Sequence, residues 1–423
     1  MSTSPVPAVA CDIQDLALAD GGKRRIDSAF QSMPVLQAVR KQFIKNQPFA
    51  GLRAGARLPV TAESACLAVA LRDGGAHVAI CASNSAAQDD IAASLVRDYG
   101  ISVFASNGES PETHQTRMDK VRDHQPHFIL EDGARLAAQV HDGNGPGGEL
   151  YGATEESQTG AARLAGLARN QQLAFPVIAV GQGTTRRLFL HRYGTAQSAL
   201  EALFRSAHLL IAGLSFVVAG YGLSGRAIAT RARALGATVI VTEVDPLKAL
   251  EAAMDGCRVM SMSEAAVIGD VFCTATGGKT ILTREHFEKM KNGAVICNAG
   301  DLPLEIDLEA LGRMASSRRV TRESLEEYSM RDGRRLNVLG DGRAVVSSLS
   351  GGHPASVMDV SYATHALGAE YVVRNRGSLE KKVHSVPSEI DQMIAKLKLE
   401  AMGIKIDRLT VEQEQYLAGV AGI

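Results

Sequence analysis

The run Phe216-Val-Val-Ala-Gly220-Tyr-Gly222-Leu-Ser-Gly225 limits this chain's fold more than any other stretch. A short apolar strand leads into three glycines spaced G-x-G-x-x-G, and an Ala/Arg-rich segment of helical character continues to about Leu235. Each glycine meets a separate steric demand: Gly220 permits a tight turn, Gly222 lets backbone approach a pyrophosphate, and Gly225 lets helix and strand pack closely. The helix start offers unpaired N–H groups and the positive end of its dipole to phosphates, with Leu223 and Ser224 in its first turn. A second strand-like run, Thr238-Val-Ile-Val241, passes into Thr242-Glu243, and Glu243 lies 23 residues after Gly220. An acid at roughly that distance holds ribose hydroxyls. A carboxylate there repels a 2′-phosphate, so the expected cofactor is NAD rather than NADP.

Strand-like and helix-like segments alternate on both sides of this fingerprint. Upstream lie Ala76–Cys81, a helical Asp89–Tyr99, Ile101–Phe104 and His127–Leu130; downstream lie Val271–Cys273, Ala294–Cys297 and Asn337–Leu339. Such alternation implies parallel sheets covered by helices, so the expected class is α/β with two doubly wound parallel-sheet domains. The apolar spacing from about Asp12 to Lys45 is helical, and Met33-Pro34 should split it into two helices. Residues 142–148 read as a Gly-rich surface loop, and 1–10 as a loose leader. Beyond Ser350 the pattern is helical, through Val357–Leu367, Glu389–Met402 and Thr410–Ala421. The apolar residues Ile390, Met393, Ile394, Leu397 and Leu399, then Leu409, Val411 and Leu417, call for a partner surface.

Composition narrows the functional classes. With 45 Lys+Arg against 46 Asp+Glu, no Trp and 4% aromatics, the chain lacks the basic excess and stacking platforms of nucleic-acid binders. The six cysteines form no C-x-x-C pair, so neither a metal site nor a disulfide framework is expected. The N-terminus lacks the features of a signal peptide, and the most apolar stretch, about Leu209 to Gly222, is shorter than the roughly 20 residues of a membrane span. A cytoplasmic protein with no membrane partner is the expectation.

Several further runs share one likeness: Val218-Ala-Gly-Tyr-Gly222, Thr242-Glu-Val-Asp-Pro246, Cys297-Asn-Ala-Gly300, Glu305-Ile-Asp307, Gly352-His-Pro354 and Leu409-Thr-Val-Glu-Gln-Glu-Gln-Tyr-Leu417. Through them the chain resembles the S-adenosylhomocysteine hydrolase family from about Asp12 to Leu417. The resemblance implies a substrate domain made of 11–190 and 354–385, an NAD domain at 191–353 and a C-terminal segment, 386–423, that dimerises. It also implies an adenine nucleoside or related small molecule as ligand, and a homodimer or homotetramer. Family members use a resident NAD to oxidise the ribose 3′-hydroxyl, which acidifies C4′; they then eliminate the 5′ substituent, add water and reduce the ketone again.

The resemblance assigns roles residue by residue. Thr61 and Glu63 match the positions that read the adenine edge, and His353 matches the loop that closes over it. Asp132 and Glu156 match catalytic carboxylates that also grip the substrate, and His191 joins the substrate set. Ser157, Gln158 and Thr159 match the nicotinamide side, while Thr276, Ala299 and Gly300 match loops that line the cofactor.

Departures gather at the reaction centre. Pro59 replaces a histidine, and Arg186 replaces a lysine with a guanidinium that stays protonated and is therefore a poor proton acceptor. Leu190 removes a carboxylate, and Asp301 stands for another histidine. Val345-Val346-Ser-Ser lacks an expected asparagine, and the terminal Lys and Tyr that reach a neighbouring subunit's NAD are missing, so weaker NAD retention is expected. The catalytic set is then Asp132, Glu156, Arg186 and Asp301. Three readings follow: an NAD-dependent enzyme that eliminates or adds water on another adenine nucleoside, a silent NAD- and adenosine-binding paralogue, and a genuine S-adenosylhomocysteine hydrolase.

Overall fold

A computed structural model describes residues 9–83, 87–141, 149–300, 302–349 and 352–419. The chain divides into two compact units, one of Met1–Thr185 with Tyr362–Ile423 and one of Arg186–Ser361. The Gly-rich run 142–148, Asp301 and the extreme termini lie outside the described residues.

The first unit is built on six strands, β1 Arg53–Leu58, β2 His77–Ala82, β3 Ser102–Phe104, β4 Phe128–Glu131, β5 Gly152–Glu155 and β6 Val177–Ala179, joined by the late strand Val383–Ser385. Their order is Val383–Ser385, β6, β5, β4, β1, β2, β3, and every pairing is parallel. The chain runs outward from β1 through β2 to β3, then returns across β1 to continue with β4, β5 and β6. The switch point therefore falls between β1 and β4, where open α/β sheets bind ligands at their carboxyl edge.

Sequence pattern missed β1, although it is central. Arg-Ala-Gly-Ala-Arg-Leu is a poor strand by composition. Its small residues suit close packing: a Cβ on Gly55 would lie 3.0 Å from the Pro126 ring. Its buried Arg57 is admitted by an ion pair to Glu131 on β4 at 3.1 Å. The expected break at Met33-Pro34 is present, with helices Ala19–Gln31 and Pro34–Asn46 and proline in the first turn of the second.

The second unit contains β7 Ser215–Ala219, β8 Thr238–Thr242, β9 Arg258–Val259, β10 Val271–Thr274, β11 Val295–Asn298, β12 Ala315–Arg322, β13 Leu325–Met330 and β14 Arg335–Leu339. The order is β12, β13, β14, β11, β10, β7, β8, β9. Strands β14 to β9 are parallel, and the central β11, β10, β7 and β8 are buried on both faces, with Phe216 and Val218 in one core and Val217, Ile240 and Phe272 in the other. The hairpin β12–β13 adds an antiparallel edge that a wholly parallel reading did not foresee. Its outer strand carries Arg318, Arg319 and Arg322 and is exposed along almost its whole length, so no apolar run announces it.

Three helices close the chain: Ala355–Arg374, Ser388–Ala401 and Val411–Leu417. The expectation that the whole apolar face after residue 386 seeks a partner is corrected in part. Ile390 and Ile394 are buried within the first unit, and Asp391 accepts hydrogen bonds from the amides of Thr184 (2.8 Å) and Thr185 (3.1 Å). Ile404, Ile406, Leu409, Val411, Tyr416 and Leu417 remain exposed. Among the described residues no helix is long and apolar enough to cross a membrane.

Candidate functional site

In the second unit, the loops after β7, β8, β10 and β11 carry the residues singled out for a dinucleotide. Gly220 has φ +92°, a left-handed conformation that suits glycine, and its amide donates to Thr242 O at 2.8 Å. A Cβ on Gly225 would sit 1.9 Å from Gly220 O, so helix Leu223–Ala234 approaches the turn as closely as backbone allows. A Cβ on Gly222 would meet nothing within 4 Å. The turn thus leaves open space where a pyrophosphate would lie against the helix start, and these residues fit the cofactor.

Glu243 ends β8 with a carboxylate fixed by backbone. Its Oε2 accepts from Tyr221 N at 2.6 Å and its Oε1 from Val244 N (2.7 Å) and Asp245 N (3.1 Å). Burial works against the charge, but these three amides outweigh it and hold the carboxyl below its usual range. An ionised carboxylate has about four acceptor positions, which suits a ribose diol.

The neighbouring loops are tied by buried polar groups that pattern reading missed. Glu305 accepts from Thr276 N (3.0 Å), Thr276 Oγ1 (2.7 Å) and Gly277 N (2.8 Å). A Cβ on Gly300 would lie 2.1 Å from Glu305 Oε1. Asn298 donates to Leu302 O and Gly342 O and accepts from Gly300 N and Thr274 Oγ1. Ala299 N bonds to Thr274 O at 2.7 Å. Thr276, Ala299 and Gly300 are therefore positioned mainly through backbone. Ser224 Oγ lies 3.3 Å from His191 Nδ1, so His191 sits beside the glycine fingerprint. His353 lies near Gly194, whose Cβ would come 3.1 Å from its Nδ1. Arg186 is buried and donates from Nε to Ser361 Oγ at 3.0 Å, and Leu190 is buried.

In the first unit the carboxyl ends of β1, β2, β4 and β5 converge. Pro59 follows β1, and its carbonyl accepts from Thr61 N at 3.1 Å. Thr61 caps helix Ala62–Asp73 in a reciprocal box with Ser64, which fixes Glu63 in the first turn. Asp132 follows β4 and accepts from Ser83 Oγ at 3.0 Å. Burial raises the Asp132 carboxyl, and the charge of Glu156 pushes the same way. Glu156 follows β5, and its Oε2 lies 2.8 Å from His365 Nε2. Ser157 caps helix Gln158–Arg169 and donates from Oγ to Glu155 at 2.8 Å, while Gln158 and Thr159 are exposed.

Beneath these loops lies a buried charge row. Register places Arg57 on β1 opposite Glu131 on β4, and Glu131 opposite Glu155 on β5. Arg57 also donates to the carbonyls of Ser83 and Asp132. Glu155 accepts from Gly133 N (2.9 Å), Ala134 N (3.0 Å) and Ser157 N (2.7 Å). The sequence carried a sign of this arrangement in the doublets Glu131-Asp132 and Glu155-Glu156. Each closes a fully buried strand, so the first acid lies in the sheet and the next in the loop that follows. Thr154 and His365 left no such sign, because their meeting joins strand and helix across more than two hundred residues.

A glycine cradle with an acidic ribose clamp in one doubly wound unit, and a carboxylate cluster at the switch point of another, define an NAD-binding α/β enzyme scaffold. Comparison with known families makes this specific. Residues 191–352 match the S-adenosyl-L-homocysteine hydrolase NAD-binding domain, and residues 10–148 match the S-adenosyl-L-homocysteine hydrolase family. The chain is 47% identical over 422 residues to an adenosylhomocysteinase of Thermosynechococcus vestitus, covering 99% of this chain and 98% of that one. It is 48% identical over 409 residues to the adenosylhomocysteinase of Aquifex aeolicus, with 96% and 98% covered, and 47% identical over 410 residues to that of Pyrococcus abyssi, with 96% of each covered. The chain belongs to the S-adenosyl-L-homocysteine hydrolase family. It is an NAD-dependent enzyme of that family.

Proposed function

We propose that this enzyme uses NAD to oxidise the 3′-hydroxyl of an adenine nucleoside, so that a 5′ substituent or water can be eliminated or added, on a substrate other than S-adenosylhomocysteine. Bound NAD supplies hydride acceptance and return, which leaves the net reaction redox-neutral. Thr61 and Glu63 read the adenine edge, His191 and His353 belong to the nucleoside's surroundings, and Ser157, Gln158 and Thr159 attend the nicotinamide. Glu156 grips the ribose hydroxyls and takes the 3′-hydroxyl proton as hydride leaves. Arg186 orients a hydroxyl or steadies an oxyanion, since it is too strong a base to give up its proton. Asp132 and Asp301 transfer protons at C4′ and at the 5′ position. Asp301 lies outside the described residues, and its role rests on its place in the sequence alone.

The observation that carries this reading is the Asp132–Glu156 carboxylate pair at the switch point, kept where Pro59 offers no proton-carrying side chain. Groups of that kind contribute about 100- to 10,000-fold each, so their replacement at Pro59 and Asp301 argues against rapid S-adenosylhomocysteine hydrolysis. A second reading, S-adenosylhomocysteine hydrolysis itself, is favoured by the 47% identity to a curated adenosylhomocysteinase across nearly the whole chain. The exposed apolar residues of 404–417 support assembly into a homodimer or homotetramer. A monomer in light scattering at micromolar concentration would contradict that assembly.

The test supplies adenine nucleosides to the NAD-loaded protein and follows absorbance near 340 nm, with products identified by mass. The expected result is NAD reduction by a nucleoside, with S-adenosylhomocysteine turned over at least about 100-fold more slowly than by an intact family member. Glu156→Gln should weaken binding and NAD reduction together, and Asp301→Asn should cut turnover while leaving binding almost unchanged. Rapid S-adenosylhomocysteine hydrolysis would establish the second reading instead.

A further inference from the structure

Helix Ala355–Arg374 carries a histidine for which neither sequence nor family likeness supplies a role. His365 is fully buried. Its Nδ1 lies 2.7 Å from Thr154 Oγ1 on β5, and its Nε2 lies 2.8 Å from Glu156 Oε2 in the loop that follows β5. Those two contacts restrict the imidazole in an informative way. An ionised carboxylate only accepts, so with Glu156 ionised the ring must carry hydrogen on Nε2. A threonine hydroxyl both donates and accepts, so Thr154 satisfies Nδ1 whether that nitrogen bears a lone pair or a proton. The ring can change charge without leaving a buried polar atom unsatisfied.

The surrounding charges give this freedom a purpose. Glu63 from helix Ala62–Asp73, Asp132 from the loop after β4 and Glu156 all act on buried Tyr362, one turn before His365, and with burial they keep its phenol protonated. Cys66 acts on the same phenol in the same direction. Arg57 and His365 both lie close enough to act on the Asp132 carboxyl. Arg57 is committed to Glu131 and to two loop carbonyls, whereas the imidazole lies against Glu156 itself.

We propose that His365 is a positioning residue for proton transfer at this site: its Nε2–H orients Glu156 and holds it as the carboxylate that receives the ribose hydroxyl proton. The proposal rests on the nucleoside-oxidising reading above. When Glu156 takes that proton, the Glu156–His365 pair passes from one negative charge to neutral, and the pair returns the proton when hydride restores the hydroxyl. No proton needs to reach solvent in the cycle. An imidazole behind Glu156 supplies charge control in a site where Pro59 can supply none.

The test uses the full chain and two readouts. In protein without nucleoside, proton NMR should show a downfield imidazole N–H protected from exchange, absent in His365→Gln and displaced in Glu156→Gln. In the NAD-loaded protein, the rate of adenosine-driven NAD reduction should depend on pH through the imidazole. His365→Gln keeps a hydrogen-bond donor but cannot titrate, so it should lose that inflection and react about 10- to 100-fold more slowly at neutral pH. A resonance untouched by Glu156→Gln, or matching pH profiles for the unmodified protein and His365→Gln, would overturn the proposal. A coupled resonance without NAD reduction by any adenine nucleoside would support the His365–Glu156 link and reject the proposed function.

Discussion

The two units prepare for their ligands by opposite means. Around Gly220–Gly225 the second unit relies on backbone: a left-handed glycine, a helix brought to contact distance, and a carboxylate fixed by three amides. The first unit relies on buried side chains, with Arg57, Glu131 and Glu155 stacked under the loops that present Asp132 and Glu156. The glycine turn itself buries no ion pair, and the buried Glu305 beside it is satisfied by the Thr276 hydroxyl and two loop amides. A side-chain network must desolvate its ions and then satisfy each one, so its loss is costly and its titration is felt by the fold.

The largest test breaks the network at its cation. Arg57→Ala leaves Glu131 buried without a counter-charge and should cost about 3–5 kcal/mol of stability, read as a lower urea midpoint. A loss no larger than that of an ordinary surface substitution would erase the contrast between the units.

A smaller effect concerns pH. Burial first, and then the charge of Glu131, push the Glu155 carboxyl up to about 8 from an ordinary value of 4.5. Between those values the folded chain holds a proton that the unfolded chain has released. The stabilisation is complete below about pH 4.5 and is lost as pH rises toward 8, with a slope of up to about 1.4 kcal/mol per pH unit. Urea midpoints across this window should fall with pH in the unmodified protein, and Glu155→Gln should flatten the trend. A flat profile before mutation would show that Glu155 is ionised throughout.

The smallest effect on stability sharpens the other side. Gly222→Ala adds a methyl group that meets nothing within 4 Å, so Tm should shift by no more than about 2 °C. The same methyl occupies the space of the pyrophosphate and should weaken NAD binding about tenfold or more, measured by titration calorimetry. Equal losses of stability and affinity would mean that the cradle is a packing feature.

The same contrast explains what could be read in advance. The glycine turn and Glu243 were legible because a dinucleotide site of this type is local: strand, turn and helix follow one another within about 25 residues. Among the first unit's carboxylates, Asp132 and Glu156 were legible through family likeness, and the doublets Glu131-Asp132 and Glu155-Glu156 were a sign that went unread. The hairpin β12–β13 escaped because its outer strand is polar on both faces, and β1 escaped because two arginines and small residues mask a central strand.

The sequence by itself determined the alternation of strands and helices, the glycine cradle, the preference for NAD and the family. Those depend on spacing along the chain and on steric limits that each residue carries with it. Only the tertiary structure decided that Arg57 belongs in a core, that Ile390 and Ile394 are covered within their own unit, and that His365 meets Glu156. The first and last depend on strand order and the second on helix packing, which together bring distant residues within reach and set which groups can be buried together.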